Sequence, residues 1–282
     1  MLKNIKIKII SLKKDEYKRS MVLSELREID LLRYAEVFDA VDGRLLPKNI
    51  LEDVNRYRRA YPYTHFDRDL SAGELGCLKS HLEIFNAIEE GQVCLVLEDD
   101  VTLSKDLVDF IQKLDELPPA WELVLLGHRV EGGLSWIKGA RISLWERKKL
   151  GDSMLGKPVD IAWGTHGYLI NYKGAQRLIA QLKRIDAPID HYTGITKSLN
   201  VYAVQPPLVL VSDELGALGT LEEQREEVLA KNKENTPINL RNASFRSYLK
   251  ALHLYQPARN LLIYLRKLKN SLRVLKKIRR YY

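Results

Sequence analysis

Three consecutive acids, Glu98, Asp99 and Asp100, close a five-residue apolar run from Val93 to Leu97. Such a run, entered through Gly91, predicts a buried strand. Adjacent carboxylates repel one another, and keeping them ionised beside a buried strand is costly unless a cation or several amide donors compensate. A hard divalent ion meets that need, because Mg²⁺ or Mn²⁺ takes one or two carboxylates and fills its other positions with water and phosphate oxygens. In an extended chain Glu98 and Asp100 share a direction, so one could meet the metal and the other a nucleotide. The same acids could instead cap the following helix or lie solvated in a loop, and their spacing leaves both readings open.

Other residues could complete a site. Asp190 follows Pro188 and precedes a short helical segment, where a carboxylate could act as a general base or as a helix cap. His81 beside Ser80 and His166 after Thr165 could orient substrate hydroxyls or be hydrogen-bonded core histidines. Zinc-type ligation by them is not expected, since no soft ligand pattern accompanies them. Gly164 and Gly167 could admit a close backbone approach or simply make turns. Trp163 could stack on a ligand face or fill core.

The elements that must position these residues alternate. Ile5 to Leu12 predicts a strand, Glu16 to Ile29 a helix, and Ala35 to Val41 a second strand ending at the Asp42-Gly43 turn. Ser71 and Glu74 have the spacing of a capping box, which predicts a helix from Ala72 to about Glu90. A helix capped by Ser104 and running to Leu117, a buried strand at Glu122 to Leu126, a strand at His166 to Asn171, a helix at Lys173 to Ile185 and an extended run at Val201 to Val211 follow. Arg44 to Asp69 is polar, Tyr-rich and weakly periodic and reads as a variable insertion, while Val130 to Leu155 suggests a hairpin with loops. This order implies an α/β fold with a mainly parallel sheet covered by helices on both faces. Ligands bind beyond the carboxyl ends of the strands in such sheets, which is where the acids stand.

The 282-residue chain carries a formal charge of +8, unevenly spread. Of its 45 Lys and Arg, 12 lie between Asn235 and Tyr282, a stretch without acids, which leaves 33 against 37 acids upstream. Within the tail Leu261, Leu265, Leu268, Leu272 and Leu275 fall on one helical face among lysines and arginines. That is a basic amphipathic helix, suited to an anionic membrane surface or to packing on its own domain. Nucleic acid is not expected as a partner, because aromatic interleaving and a binding motif are missing. Two cysteines are too few for a disulfide scaffold. The N-terminus lacks the continuous apolar core of a signal peptide, and no stretch approaches the roughly 20 apolar residues of a membrane span. A reduced, cytoplasmic setting is expected.

Read with two further segments, Leu97 to Asp100 resembles glycosyltransferase family 25, the lipooligosaccharide galactosyltransferases and their collagen-modifying relatives. SAGELGCLKSHLEIF, Ser71 to Phe85, is similar to that family's GE-GC-SH helix, and WGTHGYLINYKGAQRL, Trp163 to Leu178, to its GTHxYLIS-KGA block. Ala40 to Gly43 and Pro188 to Asp190 also match, so the resemblance spans roughly Ile5 to Val211. It implies a GT-A-type, Rossmann-like nucleotide-sugar fold and transfer of a hexose, galactose favoured, from a UDP-sugar to a saccharide hydroxyl with inversion. It also implies that the acid cluster plays the part of a DxD metal motif, with Glu98 and Asp100 holding Mn²⁺ or Mg²⁺. Asp190, in a matching block, is the candidate base, and Ser11, Leu12, Arg19, Glu74, His81, Asp99, Gly164, Thr165 and His166 are the candidate donor or acceptor contacts. The family's opening usually reads INLD-R, whereas here Lys13 follows Ile10-Ser11-Leu12 and Arg19 supplies a later basic position. The expected organisation is a catalytic domain over 1–220, a charged linker over 221–240 and a basic helical tail over 241–282. The expected enzyme works in surface-glycan assembly of the bacterial type, peripheral on the inner membrane, with a lipooligosaccharide acceptor. Competing readings are a non-catalytic membrane-docking protein that binds nucleotide without turnover and a metal-dependent phosphoesterase.

Overall fold

The computed structural model describes residues 5–61, 66, 68–129, 139–159, 161–194 and 199–212. The charged linker and basic tail expected over 221–282, and with them the membrane-facing helix, lie outside the described residues.

The chain opens with β1 (Ile5–Ser11), α1 (Glu16–Glu28) and β2 (Ala35–Asp39), then α2 (Lys48–Ala60) and α3 (Ala72–Asn86). β3 (Val93–Glu98), β4 (Val101–Leu103), α4 (Asp106–Gln112) and β5 (Leu123–Leu125) follow. The remainder is β6 (Lys148–Leu150), β7 (Ser153–Gly156), β8 (Gly167–Asn171), α5 (Tyr172–Gln181), α6 (Ile189–Gly194), β9 (Val201–Gln205) and β10 (Val209–Val211). Eight strands form one sheet in the order β2-β1-β3-β8-β5-β9-β7-β6, and β4 pairs with β10 separately.

β1 runs parallel to β2 and β3, and β5 to β9. β8 is antiparallel to both β3 and β5, while β7 opposes β9 and β6. The sheet is therefore mixed: six of its eight strands share one direction, and β7 and β8 run against it, which makes four of the seven pairings antiparallel. β8 has a consequence for the site. Because it runs against β3, its entry lies where β3 leaves, so Gly164 to His166 come in beside Glu98, whose N–H donates to the His166 carbonyl at 3.0 Å.

Both faces are covered, which is why β3 reads as a continuous apolar run. On one face Ile7, Ile9, Leu95 and Leu97 meet Val22 and Leu26 of α1 and Phe110 of α4. On the other, Cys94, Val96, Tyr168 and Ile170 meet Leu78, Ile84 and Phe85 of α3 and Leu178 of α5. Each such buried side chain contributes about 1.5–3 kcal/mol relative to exposure.

The capping box at Ser71 and Glu74 forms in both directions. The helix it starts stops at Asn86 rather than near Glu90, and Gly91, at φ +78°, makes the left-handed turn into β3. The segment read as an insertion contains α2, whose inward face carries Asn55 and Arg58. Asn55 accepts from the Leu70 N–H at 2.7 Å and donates to the Leu70 carbonyl at 3.1 Å, and Arg58 pairs with Asp69 at 2.6 Å. Leu51 and Val54 of α2 pack against a small separate cluster of Phe66, Leu70 and Ala187, so its apolar face is short and shared with polar side chains. Pro206 and Pro207 divide the extended run at its end into β9 and β10. Among the described residues no helix is long and apolar enough to cross a membrane.

Candidate active site

The acids stand at the end of β3, but the chain turns at Asp99 and Asp100 before β4. The alternation that would aim Glu98 and Asp100 together therefore stops at Glu98, and each carboxylate acquires its own surroundings. Glu98 turns toward α3 and the entry of β8. Its Oε1 accepts from the Thr165 hydroxyl at 2.9 Å and lies 3.8 Å from Nε2 of His81. Burial would raise its pKa, yet the contact with His81, the charge of His166 and the Thr165 hydroxyl together hold it at about 2. Asp99 is raised, chiefly by burial, against a hydrogen bond from Ser11 and the attraction of Lys18. Asp100 is pushed up to about 6, by burial first and then by the neighbouring Glu98 and Asp99 charges. Its Oδ1 is buried and has no hydrogen-bond partner. One firmly ionised acid thus sits beside two that resist ionisation, an imbalance that added positive charge would relieve.

The helix behind Glu98 is set by backbone contact. A Cβ on Gly76 would lie 2.5 Å from the Gly43 nitrogen and 2.5 Å from the Val41 carbonyl oxygen, so the Gly76 position and the Asp42-Gly43 turn need each other. One turn later Ser80 Oγ accepts from the Val41 N–H at 2.9 Å and donates to the Gly76 carbonyl at 2.9 Å. His81 is thereby fixed against the sheet, fully buried, with Nδ1 2.7 Å from the Tyr168 hydroxyl. Its Nε2 is buried without a hydrogen-bond partner.

His166 is buried beside Glu98. Burial, opposed by the Glu98 charge, lowers its pKa to about 4, so its ring is neutral near pH 7 and donates an N–H to the Val209 carbonyl. Its space exists because Gly127 and Gly164 lack side chains: a Cβ there would lie 2.3 Å and 2.8 Å from the ring nitrogens, and Gly164 has φ +105°. Gly167 is held close by Val209, 2.5 Å from where its Cβ would be.

The remaining expected residues divide. Ser11 ends β1 facing Asp99, and Leu12 begins the turn in which its carbonyl accepts from Asp15 at 2.9 Å. Arg19 ties strand ends together, giving Nε to Ser11 Oγ at 3.2 Å and Nη2 to the Ser11 carbonyl at 2.8 Å and Asp39 at 2.6 Å. Glu74 is buried in the capping box and held by both guanidinium nitrogens of Arg68 at 2.6 and 2.8 Å. These bonds tie Arg19 to the ends of β1 and β2 and Glu74 to the start of α3. Asp190 is the second residue of α6 rather than its cap. The helix docks on the segment before β8: a Cβ on Gly194 would lie 1.9 Å from the Ala162 carbonyl oxygen, and His191 meets Trp163 edge-on at 4.7 Å.

Two residues at this end of the sheet were not singled out by sequence. His128 follows β5, donates from Nε2 to the Val204 carbonyl at 2.8 Å and accepts from the Ala140 N–H at 2.7 Å, which fixes a neutral ring. Cys77 precedes His81 by one helical turn, so both share a face of α3. One ligand atom each from Cys77, His81 and Glu98 lie within 4.8 Å of one another. The only sequence signal of this cluster is the four-residue spacing from Cys77 to His81.

An acidic cluster beyond the strand ends of an α/β sheet stands where ligands bind in folds of this class. The family model described as glycosyltransferase family 25 (LPS biosynthesis protein) matches residues 4–193, and the chain belongs to that family. It is 27% identical over 179 residues to the human protein named procollagen galactosyltransferase 2, covering 61% of this chain and 26% of that one. It is 26% identical over 204 residues to the cattle protein named probable inactive glycosyltransferase 25 family member 3, covering 66% of this chain and 31% of that one. The matches thus span about a quarter to a third of these relatives' lengths. Among solved structures, a glycosyltransferase involved in glycosylating the major capsid of PBCV-1 aligns with TM-score 0.38 and 12% identity, over 80% of this chain and 98% of that one.

Proposed function

We propose that the chain is a metal-dependent glycosyltransferase with a GT-A-type arrangement. It moves a hexose, galactose favoured, from a UDP-sugar to a lipooligosaccharide core saccharide with inversion. The observation that carries this reading is the charge imbalance at the end of β3, where Asp100 has a buried, unpartnered Oδ1 and a pKa raised to about 6 beside ionised Glu98. Carboxylate oxygens in that state fit a hard divalent cation. Glu98 and Asp100 would hold Mn²⁺ or Mg²⁺, which when bound would offset the negative charge growing on the departing diphosphate. Thr165 fixes the Glu98 carboxylate through its hydroxyl, and Ser11 does the same for Asp99. Neutral His166 orients donor or acceptor hydroxyls without adding charge. Asp190, on the helix docked beside Trp163, takes the proton of the attacking hydroxyl. Galactose is favoured because relatives carry galactosyltransferase names.

The enzyme works at the cytoplasmic face of the inner membrane, held to anionic lipid by its basic C-terminal segment. A second reading, nucleotide binding without turnover, is kept because relatives named as inactive also match this chain. Incubation of the full chain with UDP-galactose or UDP-glucose, Mn²⁺ and a truncated lipooligosaccharide separates the two. Acceptor gaining one hexose supports transfer. UDP binding with no product from any donor removes it in favour of the second reading.

A further inference from the structure

The cluster of Cys77, His81 and Glu98 is not used by the transfer chemistry described above except through Glu98, and its composition differs from that of the acid triplet. A thiol, an imidazole and a carboxylate make a borderline-soft ligand set, suited to Zn²⁺ or Co²⁺ and poorly to Mg²⁺ or Mn²⁺. The spacing is right for convergence. Their ligand atoms lie within 4.8 Å of one another, and His81 Nε2 is already 3.8 Å from Glu98 Oε1. Donors about 2.0–2.3 Å from one tetrahedral ion are separated by roughly 3.3–3.8 Å, so the histidine and carboxylate need no rearrangement and the thiol must close by at most about 1.5 Å.

His81 supplies the independent sign of a ligand. It is fully buried, its Nδ1 is engaged by the Tyr168 hydroxyl at 2.7 Å, and its Nε2 faces Glu98 without a hydrogen-bond partner. A ring that uses Nδ1 on a hydrogen-bonding neighbour and turns Nε2 toward other ligand atoms has the arrangement of a metal-binding histidine with its orienting partner.

We propose that Cys77, His81 and Glu98 form a three-ligand site for Zn²⁺, distinct from the Asp100 cation position but sharing Glu98 with it. Binding releases the Cys77 thiol proton, and the Nε2 proton of His81 where the ring is charged, to solvent, while Nδ1–H of His81 donates to Tyr168 and a water or substrate oxygen completes the tetrahedron. Because Glu98 serves both positions, zinc draws that carboxylate away from the diphosphate side. This consequence rests on the function proposed above, whereas the zinc site itself does not.

The test titrates the full chain, stripped of metal by chelator, with Co²⁺ as the spectroscopic stand-in for Zn²⁺. The expected result is one equivalent bound, with a thiolate-to-cobalt charge-transfer band that Zn²⁺ displaces. The band is lost in Cys77→Ser and in Cys77→Ala and kept in Asp100→Ala, with circular dichroism confirming that each variant is folded. Tyr168→Phe weakens Co²⁺ binding about tenfold or more, the size of effect seen when an orienting partner is removed. Absence of the band in the wild-type chain, or its survival in both Cys77 variants, overturns the site. Its loss in folded Asp100→Ala also overturns it, by merging the two positions. Mn²⁺ binding measured separately distinguishes the readings: a cobalt band without Mn²⁺ binding upholds the zinc site and removes the metal dependence proposed above, and the reverse result does the opposite.

Discussion

Replacing Gly76 by alanine sets two effects of opposite sign against each other. In the interior of a helix Gly→Ala stabilises by about 1 kcal/mol through propensity alone. At this position the new Cβ would meet the Gly43 nitrogen and the Val41 oxygen at 2.5 Å and the Gly43 Cα at 2.9 Å. All three are backbone atoms, which no rotamer change can move aside. Overpacking of this kind costs about 1–3 kcal/mol. If α3 backs away instead, the Ser80 to Val41 hydrogen bond at 2.9 Å is stretched, and orphaning that N–H costs about 1–3 kcal/mol more. The net expectation is a loss of about 2 kcal/mol, with α3 and hence His81 displaced from Glu98. Urea unfolding of the full chain, followed by circular dichroism, measures it as a lower midpoint at unchanged slope. As a contrast, Gly91→Ala meets no atom within 4 Å but must adopt φ +78°, so its loss is about 1–2 kcal/mol of backbone strain. A Gly76→Ala protein as stable as wild type, or more so, would refute the claim that this helix is seated by direct backbone contact.

Glu74→Gln leaves the Arg68 guanidinium without its bidentate partner in a buried setting, and thermal or urea unfolding should show a loss of about 3 kcal/mol. His128 is buried as a neutral ring with its pKa lowered by burial. The unfolded chain takes up a proton near pH 6.5 that the folded chain refuses, so stability should fall as pH drops below about 6.5. Buried His166, lowered to about 4, adds the same sign. Asp100, raised to about 6, and Asp99 pull the other way, because the folded chain protonates them first. Urea midpoints at neutral and mildly acidic pH therefore check the histidines in a folded Asp100→Asn variant, where an equal or higher midpoint on acidification would contradict this. Cys94 is buried with its thiol pushed up to about 12. It should resist a thiol reagent in the native chain at mildly alkaline pH and react on unfolding, as peptide mapping would show.

Much of the frame was legible because local signals and burial agreed. β1 alternates, β3 is wholly apolar, and Ser71 and Glu74 announced α3 through a cap that forms as expected. The α2 segment was opaque because its packed apolar residues, Leu51 and Val54, share the inward face with Asn55 and Arg58. The direction of β8 was hidden for another reason. A short buried strand looks the same in either direction, and only its pairing with β3 and β5 reveals the reversal that sets Thr165 beside Glu98. At the site the acids were conspicuous by type, but the turn at Asp99 and Asp100 separated their roles in a way that spacing along an ideal strand does not anticipate. Cys77 was passed over as one of two scattered thiols, although its place one turn before His81 was readable. The motif glycines gain a physical meaning only from the fold, since Gly76 and Gly164 are defined by what their missing side chains would strike.

The central claim is that the acids after β3 hold a divalent ion that in turn holds the diphosphate of the donor. Calorimetric titration of the full chain with UDP, in the presence and absence of Mn²⁺, tests it most directly. The account expects UDP to bind measurably only with Mn²⁺ and expects Asp100→Ala, correctly folded, to lose that dependence together with the binding. UDP binding of equal strength with and without the ion, or unchanged by Asp100→Ala, would contradict it.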